Sequence, residues 1–238
     1  MNNRRDLLKA AAAVALAPGL TLVAAQAAAR APGEPASSAN RWGLLIDTTK
    51  CGTDCTACVG ACKTEMGLAG HDRPLTDPQY IRKVDVADPE TGMRHSLPVM
   101  CQHCAKPACV DVCPTGASMK RADGIVLVDR HICIGCRYCM MACPYKARSF
   151  THQDETGQKP YLPRGKGTVE ACTLCVHRID SGRQPACVEA CAAQGGGAML
   201  FGDLNDPSSP IARRVATQAT SRIRADLGLE PAIRYQGI

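Results

Sequence analysis

Sixteen of the 238 residues are cysteine, and they fall into four groups of four. The first is Cys51, Cys55, Cys58 and Cys62. The second is Cys101, Cys104, Cys109 and Cys113, with Pro114 after it. The third is Cys133, Cys136, Cys139 and Cys143, with Pro144 after it. The fourth is Cys172, Cys175, Cys187 and Cys191. The third group has the spacing C-x2-C-x2-C-x3-C-P. Such a loop wraps three thiolates around one face of an iron–sulfur cubane and carries the fourth away from it. The second group widens one gap, the first places three residues between Cys51 and Cys55, and the fourth has eleven between Cys175 and Cys187.

Three other chemistries compete for these thiols. Disulfides suit an exported chain, but four repeats of neighbouring Cys-x-x-Cys pairs look more like metal loops than long-range bridges. Structural zinc generally uses two separated Cys-x-x-Cys hairpins without a third cysteine in the loop. Inert buried thiols would not be gathered in quartets. The third group is the run found in bacterial ferredoxins, where the fourth cysteine serves the other of two clusters. Quartets therefore work in pairs. The reading is four [4Fe–4S] clusters, in a redox rather than a bond-making protein, since no nucleophile–base set stands out.

Around the quartets, short apolar runs predict strands. Arg41 to Asp47 leads into the first quartet. Tyr80 to Val86, a turn at Asp88-Pro89-Glu90-Thr91-Gly92, and Arg94 to Met100 predict a hairpin. Gly124 to Asp129 predicts a strand joining the second and third quartets. The fold class expected is α+β: two interlocked ferredoxin-like units with short strands, few helices and long loops. Residues 101–147 form an inner, continuous unit. Residues 41–100 and 148–207 form an outer, split unit with the hairpin inserted. The loop from Thr151 to Gly167 reads as solvated surface. Residues 208–238 are a C-terminal tail, with an imperfect helical pattern from Pro210 to Leu227.

The chain has only two Phe, one Trp and five Tyr. Aromatic side chains carry much of an ordinary core's buried area, so something besides packing must hold this one, and metal is a common substitute. The formal charge is +6. Each cubane with its four thiolates adds about two negative charges, so a mature chain with four of them comes to roughly −4. The basic residues are then internal counter-charge, and a nucleic-acid partner is not indicated. Lys106, Lys146, Arg148 and Arg178 lie near cysteines and are candidates to raise cluster potentials, against ordinary surface charge. His103, His131 and His177 read as packing or hydrogen-bonding residues, and Trp42 as a core or interface anchor, with a place on the electron path as the alternative.

Residues 1–27 read as an export signal. Arg4 and Arg5 precede an apolar stretch from Ala10 to Ala25, and Ala25-Gln26-Ala27 is a small-x-small cleavage site. Paired arginines resemble a twin-arginine leader, a route for folded cargo. Residues 28–40, rich in Ala, Pro and Ser, read as a flexible lead-in. No other segment approaches membrane-spanning length.

The order of the quartets, with Cys-Gln-His-Cys at 101–104 and Cys-Thr-Leu-Cys at 172–175, resembles the four-cluster subunits of membrane-linked respiratory oxidoreductases. The stretches Val112–Ser118, Cys136–Phe150 and Phe201–Pro207 are most similar to the periplasmic O subunits of Dsr complexes, which are linked to dissimilatory sulfite reductase. The resemblance implies the ligand sets. Cys51, Cys55 and Cys58 would share a cluster with Cys191; Cys172, Cys175 and Cys187 with Cys62. Cys101, Cys104 and Cys109 would share one with Cys143; Cys133, Cys136 and Cys139 with Cys113. It also implies a periplasmic electron relay docked at the inner membrane. Its partners would be an integral membrane quinone-interacting subunit, a multihaem cytochrome c and further subunits. The competing readings are an iron–sulfur subunit of a periplasmic molybdopterin reductase for polysulfide, tetrathionate or similar, and a cluster-based redox sensor or zinc-stabilised interaction module.

Overall fold

A computed structural model describes residues 29–238 except 32, 69–72, 74 and 157. Residues 1–27, expected to be an export signal, lie outside the described residues. Among those described, no helix is long and apolar enough to cross a membrane.

Strand β1 (Trp42–Asp47) carries the buried run Leu44, Leu45 and Ile46. A strand buried on both faces must be central, and β1 is the middle of a three-stranded sheet. One neighbour is β8 (Met199–Asp203), antiparallel, with Leu44 opposite Phe201. The other is β9 (Ile233–Gln236), parallel, with Leu44 opposite Ile233. β9 comes from residues 208–238, the segment expected as a tail. Strands β2 (Ile81–Ala87) and β3 (Arg94–Met100) form the expected hairpin. Its turn is held by Asp88, whose carboxylate accepts from Glu90 N at 2.8 Å and Thr91 Oγ1 at 2.7 Å. The strand expected between the middle quartets is β5 (Val126–Val128), paired with β4 (Ser118–Lys120). The remaining pair is β6 (Arg148–Phe150) with β7 (Val169–Ala171).

The helices are short. α1 (Ala57–Met66) and α5 (Ala186–Gln194) are the longest and pack on each other. Between them come α2 (Ala108–Asp111), α3 (Tyr138–Ala142) and α4 (Val176–Ile179). α6 (Pro210–Thr217) is capped by Ser209, whose Oγ accepts from Ala212 N at 3.2 Å. The helical pattern expected to Leu227 stops at Thr217, because Gln218 is extended and Ser221 pairs with Tyr235 beside β9.

Two other segments make contacts that their composition does not suggest. Within the expected flexible lead-in, Arg30 is tethered: its N–H donates to Asp180 O and its Nη2 to Asp180 Oδ2, both at 2.9 Å. The loop expected to be solvated is anchored by Arg164. That guanidinium is buried, meets Glu170 through two donors at 2.7 and 2.9 Å, and also reaches Glu155 and Gly67 O.

The core reflects the shortage of aromatics in an unusual way. Leu44, Ile46, Met66, Ile233 and Tyr235 pack in one cluster with nine of the cysteines among its fully buried members. A second, smaller cluster is Cys104, Cys143, Tyr145 and Ala147.

Candidate metal centre

The loops that carry the cysteines are tight enough to force unusual backbone. In three Cys-x-x-Cys turns the residue before the second cysteine is left-handed: His103 (φ 42°), Gly135 (φ 70°) and Leu174 (φ 53°). Arg137 (φ 63°) and Cys175 (φ 52°) are left-handed too. For a non-glycine residue this costs on the order of 1–3 kcal/mol, and such strain collects at functional sites. At Gly135 no side chain fits, since a Cβ would lie 2.1 Å from Gly167 O.

Two cavities are walled by thiols. Cys101, Cys104, Cys109 and Cys143 line one, with Tyr145 and Arg148 also in its wall. Cys113, Cys133, Cys136 and Cys139 line the other, with Ile134 and Arg137 at its rim. The other eight cysteines meet where α1 packs on α5. Each helix carries two at i, i+4 spacing, Cys58 and Cys62 on α1, Cys187 and Cys191 on α5, so both pairs sit on one helical face. Cys58 faces Cys51, Cys191 and Cys55. Cys172 faces Cys62, Cys187 and Cys175.

These groups also touch end to end. Cys58 lies within electrostatic reach of Cys62 and Cys187, Cys172 of Cys101, and Cys109 of Cys139. The end groups are the accessible ones. Cys136 is exposed, and Cys51, Cys55, Cys113 and Cys133 are half-buried, while the other eleven are buried. None of the sixteen is in a disulfide. Among the described residues no three His, Cys, Asp or Glu side chains close around the position of one metal ion. The thiols instead surround open space.

The chemistry of the donor set fits an iron–sulfur core. Burial pushes the Cys101 thiol up to about 12 and the Cys58, Cys104 and Cys175 thiols up to about 11. Burial likewise holds Cys62 and Cys172 well above the ordinary thiol range, and neighbouring thiols add to it. Such groups become ligands only when a cationic core offsets the charge. Donors already point at the sulfurs. Ser118 N lies 3.3 Å from Cys113 Sγ, Val169 N 3.5 Å from Cys133 Sγ and Leu174 N 3.4 Å from Cys172 Sγ. Hydrogen bonds to cluster sulfurs tune potential.

Cations differ sharply between groups. Arg148 is buried, with Nη2 3.0 Å from Cys109 Sγ. Lys83, on β2, places Nζ 3.1 Å from Cys51 Sγ and 2.8 Å from Gly52 O, at the solvent edge. Reading the sequence alone missed Lys83, because no motif links a hairpin residue to a cysteine thirty-two positions away. Arg41 was missed as well. Its guanidinium donates to His103 O at 2.6 Å and Gly124 O at 2.9 Å, fixing the strained turn between Cys101 and Cys104.

The other candidates separate. Arg178 meets Glu65 and Glu189. Lys106 pairs with Glu230 at 2.6 Å on the surface, and Lys146 is exposed. His103 is buried, and its Nδ1 accepts from Val126 N at 3.0 Å. His177 meets Glu65 at 2.7 Å and stacks on Tyr161. His131 is exposed. Trp42 stacks on Phe201, with ring centroids 5.3 Å apart.

The 4Fe-4S dicluster domain family matches residues 94–204. An Hdr-like menaquinol oxidoreductase iron–sulfur subunit of Archaeoglobus fulgidus is 38% identical over 99% of this chain and 97% of its own length. The chain belongs to the iron–sulfur subunits of respiratory oxidoreductases. Two further relatives are a tetrathionate reductase subunit of Salmonella typhimurium and a menaquinone reductase iron–sulfur cluster-binding subunit of Nitratidesulfovibrio vulgaris. The first is 37% identical over 85% of this chain and 74% of its own length; the second is 34% identical over 82% and 88%. As an iron–sulfur subunit of this family, the chain carries [4Fe–4S] clusters and transfers electrons within an oxidoreductase complex. The reduction and oxidation of these clusters is the chemistry they supply. The cysteines described above would hold them, with the surrounding side chains shielding them from water.

Proposed function

We propose that this chain is a four-cluster periplasmic relay of a Dsr-type complex in dissimilatory sulfur metabolism. Each cluster would be held by one of the four cysteine groups. Cys51, Cys55, Cys58 and Cys191 hold one end, followed by Cys62, Cys172, Cys175 and Cys187. Next come Cys101, Cys104, Cys109 and Cys143, and last Cys113, Cys133, Cys136 and Cys139. The two outer sets form the split ferredoxin-like unit and the two inner sets, within 101–147, the continuous one.

The observation that carries this reading is the line of thiol groups, buried in the middle and accessible at both ends. A wire needs that layout: insulated interior steps and terminal clusters within reach of partners. At the Cys136 end, Ile134, Tyr138 and Met141 stand exposed, a collar suited to an integral membrane quinone-interacting subunit. A multihaem cytochrome c and further subunits would complete the assembly. The chain would have no catalytic site of its own and would reach the periplasm by the twin-arginine route. The full-length match to a menaquinol oxidoreductase iron–sulfur subunit supports the quinone link. Anaerobic analysis should find about sixteen iron and sixteen acid-labile sulfide per chain, four of each per cubane. Zinc without sulfide would sink the reading.

A second reading is the iron–sulfur subunit of a molybdopterin reductase, favoured by the match to the tetrathionate reductase of Salmonella typhimurium. Isolation of the native complex separates the two. A molybdenum-containing partner and no haem c would select the second.

A further inference from the structure

We propose that Arg148 is a shared counter-charge for the two inner clusters, raising both potentials and tying one to the other. This rests on the four-cluster reading above.

Arg148 opens β6, and pairing with Ala171 fixes its backbone. Its side chain is buried. Nη2 donates to Cys109 Sγ at 3.0 Å and to Ser118 Oγ at 2.8 Å. Ser118 in turn donates its backbone N–H to Cys113 Sγ. The guanidinium therefore contacts one inner set at Cys109 and the other at Cys139, and is linked to Cys113 through Ser118. Its charge also acts on Cys101 from the first set and on Cys139 from the second. It closes the wall of the cavity lined by Cys101, Cys104, Cys109 and Cys143. Nε and Nη1 are buried and make no hydrogen bond of good geometry, while the head lies beside Cys139.

A buried guanidinium with unused donors is costly unless negative charge lies beside it. The partners of Arg148 are thiols and a hydroxyl, so its charge is met only when the thiols are thiolates around a cluster. A cubane gains one more negative charge on reduction, and a fixed cation favours that form. One cation against two clusters raises both potentials. It also links them, since charge added to one cluster draws on the same guanidinium that serves the other. The planar, multi-donor head is what allows contact on two sides, and an ammonium is a single compact charge.

The test is a potentiometric titration followed by electron paramagnetic resonance, on the full chain in its native complex. In Arg148→Gln both inner clusters should become harder to reduce, each by at least tenfold in the reduction equilibrium, or ~59 mV for one electron. The two outer potentials should stay in place. In Arg148→Lys the ammonium serves one thiol set, so one inner potential should hold and the other fall. Inner potentials within threefold of wild type in both variants would overturn the role, as would all four moving together. If Arg148→Gln loses its inner iron, Arg148→Lys alone decides, by splitting the inner pair or failing to. Loss of inner iron from both variants overturns tuning in favour of a purely structural residue. Iron and sulfide content of the unaltered protein keeps the two readings apart. Fewer than four cubanes sinks the four-cluster reading, whereas full content with unmoved potentials sinks only the role of Arg148.

Discussion

From Cys101 to Cys143 the chain supplies eight cysteines in one continuous stretch, and their cages are made by local turns. The other eight come from two distant segments and meet because α1 packs on α5. The inner cages are shaped by tight turns, with His103, Gly135 and Arg137 left-handed; the outer ones share this device at Leu174 and Cys175. The outer cages lean on helix packing, with α5 also packed on β8 of the sheet β8-β1-β9. The cations differ in the same sense, with Arg148 buried among the inner thiols and Lys83 at the solvent edge of Cys51. Local construction should confine damage to one cage. Long-range construction should spread it to two.

The strongest way to break that contrast is at Gly135. A Cβ there meets Gly167 O at 2.1 Å, and the residue has φ of 70°. Gly135→Val should therefore cost more than about 3 kcal/mol, combining overpacking with backbone strain. Iron should fall by about four per chain, one cubane. Loss of outer iron as well would show that the cages are not built independently.

The outer cages are next. Leu44 is buried at the centre of β1, between Phe201 and Ile233. Leu44→Ala should cost about 2–4 kcal/mol from lost burial and the cavity left behind. Because β1 centres the sheet whose strand β8 packs on α5, chelator-driven iron release should begin from the outer sites and take two cubanes together. Inner release first would reverse the assignment.

The same contrast explains what could be read without a structure. The quartets, the β2–β3 hairpin with its Asp88 turn, and β5 depend on residues close in sequence, and their spacing carried the information. β9 does not. Its pairing with β1 joins Leu44 to Ile233, and a four-residue run near the chain end holds no signal of a partner so far away. Arg164 misled for a related reason. It stands in a polar stretch, and only the fold brings Glu170, Glu155 and Gly67 O around it. Lys83 was invisible likewise: the hairpin was legible, but not which cysteine it would lie against.

A smaller effect should come from the tie between α1 and α4. Glu65 accepts from Arg178 at 2.9 Å and meets His177 at 2.7 Å. Partial burial pushes its carboxyl up, but the His177 hydrogen bond and the Arg178 charge outweigh this and hold it below the usual range. A depressed carboxyl adds stability that is present above its unfolded value near 4.3 and is lost as pH falls through the folded value. The side chain keeps contact with solvent, so screening should hold the cost of Glu65→Gln to about 1 kcal/mol at pH 7. Acid unfolding profiles of the variant and wild type should converge at low pH. A gap that stays constant with pH would show that the contact acts by packing, not charge.

The smallest effect should be at Lys83, and it bears most directly on the comparison. Its ammonium is as close to Cys51 Sγ, at 3.1 Å, as Arg148 is to Cys109 Sγ. Distance alone would make the two equal. Solvent does not: in high dielectric a charge pair is worth a few-fold less than near a protein interior, and salt screens it further. Lys83→Met should lower the potential of the Cys51 cluster by less than about threefold in the reduction equilibrium, and 1 M salt should erase the shift. The Arg148 shift should survive the same salt, because mobile ions do not enter a buried site. If salt erases both shifts, the inner cages are wetter than their burial implies. If it erases neither, Lys83 acts through its hydrogen bond to the sulfur rather than through its charge.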